Sequence, residues 1–507
     1  MSRDGLKAAR YLALFSALAG VAAPAALPVA AAAGPAMSSL AASERLQNVT
    51  WQASAWSSTA TATKVTDIAT MIGAPERLTG AGVGVALIDT GVVGVPGLPA
   101  AQVVNGPDLS FESQGAAVRY LDTYGHGTHL AGIIVGDDPA TGFRGLAPKA
   151  KLTSVKVGSA TGAVDVSQVI AAVDWVVQHR NDNPANPIRV LNLAYGSDST
   201  QPALVDPLSF AVENAWRNGI VVVVSGGNGG IVSSTLRNPA YDPYVLSVGS
   251  ASTKGTQSYA DDELSLFSSV SATRNIDLLA PGESIVSLRD PGSYIDKAFP
   301  VARVGDRLFK GTGSSQSAAV VSGAVALLLQ DRPNLTPDQV KAVLKSSATP
   351  LTKGKAATMR LGALNLAAAL NQRTPAVTQT YLRAMGVGSI EAGRGSSHVA
   401  DRGMPLVGEK DLFGMFIAAD WSSRSAAGTA WKGGQWMGRR MAGDGWTGTS
   451  WTSQTWASAT WPGRSWGGSN WDDNNDDEHT WNGWHWSGSG WSGWHWAGDR
   501  WSATSWR

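Results

Sequence analysis

The sequence contains no cysteine. This single absence excludes disulfide staples, thiolate metal sites and a cysteine nucleophile, and leaves core burial, with bound metal as an open second contribution, to stabilise the fold. Charge imbalance is also lacking: 40 Lys and Arg face 39 Asp and Glu, for a net charge of +1. Without a basic block there is no electrostatic footprint for nucleic acid or for an anionic membrane surface. Long apolar runs are scarce too. The one candidate, "YLALFSALAGVAAPAALPVAAAAG", follows Arg3, Lys7 and Arg10 and ends in small residues near Ala33. Residues 1–33 therefore read as a secretory signal peptide, implying a secreted or cell-surface location. The alternative is a membrane anchor, which Pro24 and Pro28 oppose by interrupting the run. No membrane span is expected after signal cleavage. Exported proteins usually have disulfides available, so the missing cysteines stand out all the more.

What is present points to an α/β protein. A chain of 507 residues with 43% apolar content can bury one large domain with attachments. After an N-terminal segment over 34–73, residues 74–372 alternate β-rich runs with helical patterns. "GVGVALID", "KLTSVKV", "IRVLNLAYG", "GIVVVVSG" and "YVLSVGS" read as strands, several of them apolar without alternation, as expected for strands covered on both faces. "VSQVIAAVDWVVQHR" and "DPLSFAVENAWRNG" carry helical periodicity, and "LTPDQVKAVLKSSATP" offers Thr336 as N-cap, Pro337 at the first helical position and Gln339 to complete a capping box. This order predicts a mostly parallel sheet with helices on both faces and ligand sites at the C-terminal strand ends.

Periodicity fades over 373–420, which reads as a connector. From 421 to 507 the composition changes: tryptophan recurs on a five-residue period from Trp421 to Trp506, and Trp51 and Trp56 share the spacing. Five residues advance a helix by about 140° and bring a straight strand to its opposite face, so neither would gather the rings on one side. With Gly, Ser, Thr and Asn between the rings, a flexible low-complexity tail or a repeated turn-like coil is expected. Such rings suit stacking on polysaccharide, a cell wall or another apolar surface, so a surface-binding protein centred on this tail is one alternative reading of the whole chain.

Four segments could carry chemistry. Asp89 ends the strand "GVALID"; His126 and His129 open the apolar run after "YGHGTH"; "VVVVSGGNGG" ends in Ser225, Gly226, Gly227 and Asn228; and "GTGSSQSAAVVSG" holds Ser314, Ser315 and Ser317 before a buried-looking helix. Taken singly, Asp89 reads as a turn residue, the two histidines compete as a metal pair without a third ligand, and the Gly/Asn cluster is an ordinary turn. No metal site is assigned.

Taken together and in order, "ALIDTGV", "YGHGTHLAG", "SGGNGG" and "GSSQSAAVVSG" resemble the Asp, His, oxyanion-Asn and Ser segments of the subtilisin-like serine proteases, with coverage of about 74–372. The resemblance implies a three-layer α/β fold and a serine endopeptidase acting on polypeptides with Asp89, His126 and Ser315 as catalytic triad and Asn228 in the oxyanion hole. Counting back from Gly323 lands on Ser315; a rival register puts Gly313 in the nucleophile's place and leaves none. Gln316 and Ala319 depart from the Met and Pro of the family pattern, which keeps a catalytically inactive scaffold open as an alternative. By the same analogy Ala194, Tyr195 and Gly196 pair with extended substrate, and Ser225, Gly226 and Gly227 line the first side-chain pocket. No cofactor is required for this chemistry. Structural calcium is common in the family, but "YADDELS" reads as a solvated acidic turn.

Overall fold

The computed structural model describes residues 61–440 apart from 100, 114–117, 232–235, 402–403 and 413. The expected signal peptide, most of the N-terminal segment, and the tail beyond Arg440 lie outside the described residues. Among the described residues the main sheet has ten strands, and its body is made of seven parallel ones: β1 (Gly84–Asp89), β2 (Val103–Asp108), β3 (Lys151–Lys156), β4 (Ile188–Leu193), β5 (Val221–Ser225), β6 (Leu246–Ser252) and β7 (Leu278–Pro281). Their spatial order is β2-β3-β1-β4-β5-β6-β7. The chain winds outward from β1 in one direction and then in the other, so the strand order reverses beside β1. A crevice opens outside the carboxyl ends at such a point.

The five strands read from the sequence are all present, and β1, β5 and β6 are buried along their whole length. β2, "VVNGPD", escapes the pattern because Gly106 and Pro107 look like turn residues. The glycine is demanded by packing: a Cβ there would stand 2.9 Å from Val155 Cγ2 and 3.0 Å from the Trp175 ring.

Five helices flank the sheet: α1 (His126–Val135), α2 (Val166–His179), α3 (Pro207–Arg217), α4 (Ser314–Asp331) and α5 (Pro337–Ser347). α1 packs on α4 and α2 on α3, giving the helical layers of a three-layer α/β fold. The capping box of α5 forms as read, with Thr336 Oγ1 accepting from the Gln339 N–H and Gln339 Oε1 accepting from the Thr336 N–H. Asp165 and Gln168 make a second capping box, on α2. α4 is buried from Ser314 to Leu329, as an all-round apolar helix should be.

Beyond residue 373 the structure departs from the reading of a connector followed by a tail. Arg394 is fully buried and reaches Asp165, the N-cap of α2, at 2.6 Å. In helix α6 (Ala418–Ala426), Trp421 donates its indole N–H to Asp174 Oδ2 on α2 at 2.8 Å; Trp436 donates to the same oxygen at 2.8 Å, and Trp431 to the Ala171 carbonyl at 2.7 Å. These rings belong to the core.

Between Trp431 and Trp436 the five-residue spacing is met by chain reversal. Trp431–Lys432 pairs antiparallel with Gln435–Trp436, with Trp431 directly opposite Trp436. The two residues between, Gly433 and Gly434, both have positive φ (55° and 76°), the mark of a type I′ hairpin turn. Opposed residues of an antiparallel pair share a face, so an odd spacing that would split the rings on a straight strand unites them across a hairpin. The next turn has the same pair of positive φ angles, 54° at Met437 and 74° at Gly438, and brings Arg439 opposite Trp436.

Candidate active site

β1 delivers Asp89 to the crevice, and α1 begins at His126. His126 Nδ1 lies 2.6 Å from Asp89 Oδ1, and both side chains are buried. A carboxylate in that position holds the imidazole with its Nδ1–H toward the acid and Nε2 toward the crevice. Asp89 Oδ1 also accepts from the Thr90 N–H at 2.8 Å.

Two residues that the sequence reading passed over secure this pair. Asp122 accepts from the N–H groups of Gly125 and Thr128 at 2.6 and 2.7 Å, satisfying donors at the start of α1, and from the Thr90 hydroxyl at 2.7 Å. Thr90 Oγ1 in turn accepts from the Gly127 N–H at 3.0 Å. No capping pattern marks it: the N-cap is Gly125, and Asp122 reaches the helix start from three residues further back. Asp122→Ala would leave buried donors unpaired at the helix that carries His126. The expected cost is about 2–4 kcal/mol, read by denaturant unfolding, with a matching loss of turnover.

Behind them, Lys156 at the end of β3 is buried against Glu112 at 2.7 Å and donates to the Thr90 carbonyl at 3.1 Å. Burial opposes its charge, but Glu112 and Asp108 carry its pKa above the ordinary lysine value. Burial pushes the Asp122 carboxyl upward, with its hydrogen bonds opposing.

Gly127 is fixed by closeness. A Cβ there would stand 2.1 Å from the Gly91 carbonyl oxygen and 3.2 Å from Asp89 Oδ1. Gly127→Ala must push the first turn of α1 away from the Asp89 loop, and kcat is expected to fall about 100-fold in steady-state kinetics.

The two histidines separate cleanly. His129 Nε2 faces the carbonyls of Ile285 and Phe309 at 3.3 and 3.2 Å, and burial with the neighbouring His126 lowers its pKa to about 3. It stays neutral and structural.

The three serines separate as well. Ser314 Oγ donates to Asn228 Oδ1 at 2.8 Å and accepts from the Gly227 N–H at 3.2 Å, while Ser317 Oγ donates to the Ala280 carbonyl at 3.0 Å. Ser315 Oγ is buried and hydrogen-bonds to no protein group. It sits in the first turn of α4, where backbone N–H groups have no partner within the helix itself. Asn228 Oδ1 also accepts from the Ser314 N–H at 2.9 Å, leaving the Asn228 amide nitrogen as the end not held by Ser314. The structure thus joins Asp89 to His126 and Asn228 to the first turn of α4, and draws no hydrogen bond from the Ser315 hydroxyl to either pair.

Ser225 closes β5, and the Gly226 N–H donates to the Val248 carbonyl at 2.7 Å. Ala194, Tyr195 and Gly196 follow β4 and are buried. β4 and β5 are neighbours, so both candidate substrate segments start from adjacent strand ends. Among the described residues no three His, Asp or Glu side chains gather as a metal-holding group. The turn "YADDELS" is not fully solvated: Asp262 is buried with neither carboxylate oxygen bonded, and burial, with Asp261 beside it, pushes its pKa to about 7. That lone carboxyl does not make a calcium site, and calcium enters no step below.

Residues 80–388 match the model of the subtilase family, well over half of the chain. The chain belongs to the subtilase family. It is 37% identical to serine protease AprX of Bacillus subtilis (strain 168) over 294 residues, which is 56% of this chain and 65% of AprX. Subtilisin DY of Bacillus licheniformis is 32% identical over 275 residues, covering 54% of this chain and 85% of that one. Among solved structures, a cold adapted subtilisin-like serine proteinase matches at 30% identity over 57% of this chain and 89% of that one, with a TM-score of 0.44. This subtilase has, among its described residues, no helix long and apolar enough to cross a membrane.

Proposed function

We propose that this subtilase is an exported endopeptidase that hydrolyses polypeptides through an acyl-enzyme on Ser315. The observation that carries the reading is the buried Asp89–His126 hydrogen bond at 2.6 Å, combined with Ser315 as the member of the serine trio whose hydroxyl is uncommitted. Ser315 Oγ adds to the scissile carbonyl carbon while its proton passes to His126 Nε2. Asp89 holds the imidazole and stabilises the imidazolium. The carbonyl oxygen becomes an oxyanion facing the Ser315 N–H and the Asn228 amide. The carbon–nitrogen bond then breaks, His126 gives its proton to the leaving amine, and water hydrolyses the ester by the same route. An extended substrate pairs with Ala194–Gly196, its first side chain directed toward Ser225–Gly227.

The hydroxyl's lack of a bond to His126 is compatible with this scheme, because catalytic hydrogen bonds often tighten only once substrate is bound. A fluorophosphonate probe tests the reading: folded protein should carry one adduct, on Ser315. Protein that stays unlabelled would support the inactive scaffold.

A further inference from the structure

Gln316 follows the proposed nucleophile and stands where the family pattern carries Met. It is fully buried, and neither Nε2 nor Oε1 has a hydrogen-bond partner. Its carboxamide lies against Gly313: a Cβ built on that glycine would lie 2.8 Å from Gln316 Oε1 and 3.3 Å from Asn228 Nδ2. Two carboxamides therefore flank the same Cα at the entrance to α4. One is anchored by its oxygen to Ser314, and the other is held by nothing. An unbranched apolar side chain would fill this space without a buried unpaired amide, so the amide destabilises the free enzyme. Polar groups left unpaired beside a nucleophile are recovered when a ligand supplies the missing partner.

We infer that Gln316 is a third hydrogen-bond donor to the oxyanion. This deepens the proposed function and rests on it. The terminal carboxamide torsion is broad and nearly two-fold, so Nε2 can take the place of Oε1 as negative charge develops beside it. Nε2 then donates to the same oxygen as Asn228 Nδ2 and the Ser315 N–H, an interaction strongest in the transition state.

The test compares full-length wild type with Gln316→Met and Gln316→Glu, measuring melting temperature, kcat and KM on a peptide amide, and inhibition by a peptide aldehyde that forms a hemiacetal oxyanion on serine. Gln316→Met should melt higher yet lose about tenfold or more in kcat, with KM within about twofold and aldehyde affinity falling by the same factor as kcat/KM. Gln316→Glu keeps the shape, removes the donor and should lose more as its carboxyl ionises. Gln316→Met that melts higher with unchanged kcat and aldehyde affinity makes the residue a spacer and overturns the inference alone. Should Gln316→Met fail to fold, a Gln316→Glu enzyme with wild-type kcat overturns it equally. Wild type that takes no fluorophosphonate on Ser315 overturns the parent reading with it.

Discussion

Ser315→Ala is expected to lower kcat by about 10⁶-fold, a magnitude measured for the serine of subtilisin and borrowed from it. His126→Ala should cost about as much, and the double variant little more than either, because the alcohol and the imidazole act as one unit. Asp89→Ala should cost less, since an unsupported imidazole still accepts a proton part of the time. Single-turnover hydrolysis of a peptide amide by the purified variants reads all four values. Additive losses for Ser315 and His126 would mean that the two do not share a proton, and the mechanism above would fall. Folding is protected in this comparison. The Ser315 hydroxyl has no partner to lose, so the alanine variant should melt within about 0.5 kcal/mol of wild type.

The second large effect concerns stability. Asp174 is buried on α2 and receives three donors from the C-terminal segment: Trp421 and Trp436 on Oδ2, and the Ser425 hydroxyl on Oδ1 at 2.5 Å. Burial raises its pKa from 3.8 to about 6, the three donors pulling the other way without cancelling it. The sign follows from linkage: the folded state binds this proton more tightly than the unfolded chain, so stability from this group grows as pH falls from about 6 to about 4. At pH 7 the buried charge costs about 3 kcal/mol relative to acid. Asp174→Asn keeps an oxygen for both indoles and lets the Ser425 hydroxyl turn to accept. It should gain up to about 3 kcal/mol at pH 7 and flatten the pH dependence between 4 and 6. Asp174→Ala strands two indole N–H groups and a hydroxyl, and should lose about 3–6 kcal/mol. Denaturant unfolding across this pH range and limited proteolysis of the 418–440 region distinguish the two. Equal stability for both variants would show that the tryptophans do not depend on this carboxyl.

Position makes Asp174 consequential. Arg394 ties the same C-terminal segment to Asp165, and Ser197 Oγ, just beyond Ala194–Gly196, donates to the Gly393 carbonyl at 2.6 Å. Further along, the Thr200 N–H donates to the Ala392 carbonyl at 3.2 Å. Loosening this segment should therefore reach the proposed substrate strand as well as the melting temperature.

The sequence by itself determined the parallel sheet, because strands covered on both faces need apolar runs without alternation and β1 and β5 have them. It also determined the residue types of the site and their order, since Asp89 and Asn228 had to fall at or just past strand ends and His126 and Ser315 at helix starts. Only the tertiary structure decided which serine is uncommitted, which histidine is structural, and that Asp122 and Thr90 secure the pair, because hydrogen-bond partners come from segments far apart along the chain. It alone turned the spacing of Trp431 and Trp436 into a packed hairpin. Periodicity counts residues along a straight element, whereas two positive-φ residues reverse the chain, and an acceptor on a distant helix then decides where each indole is buried.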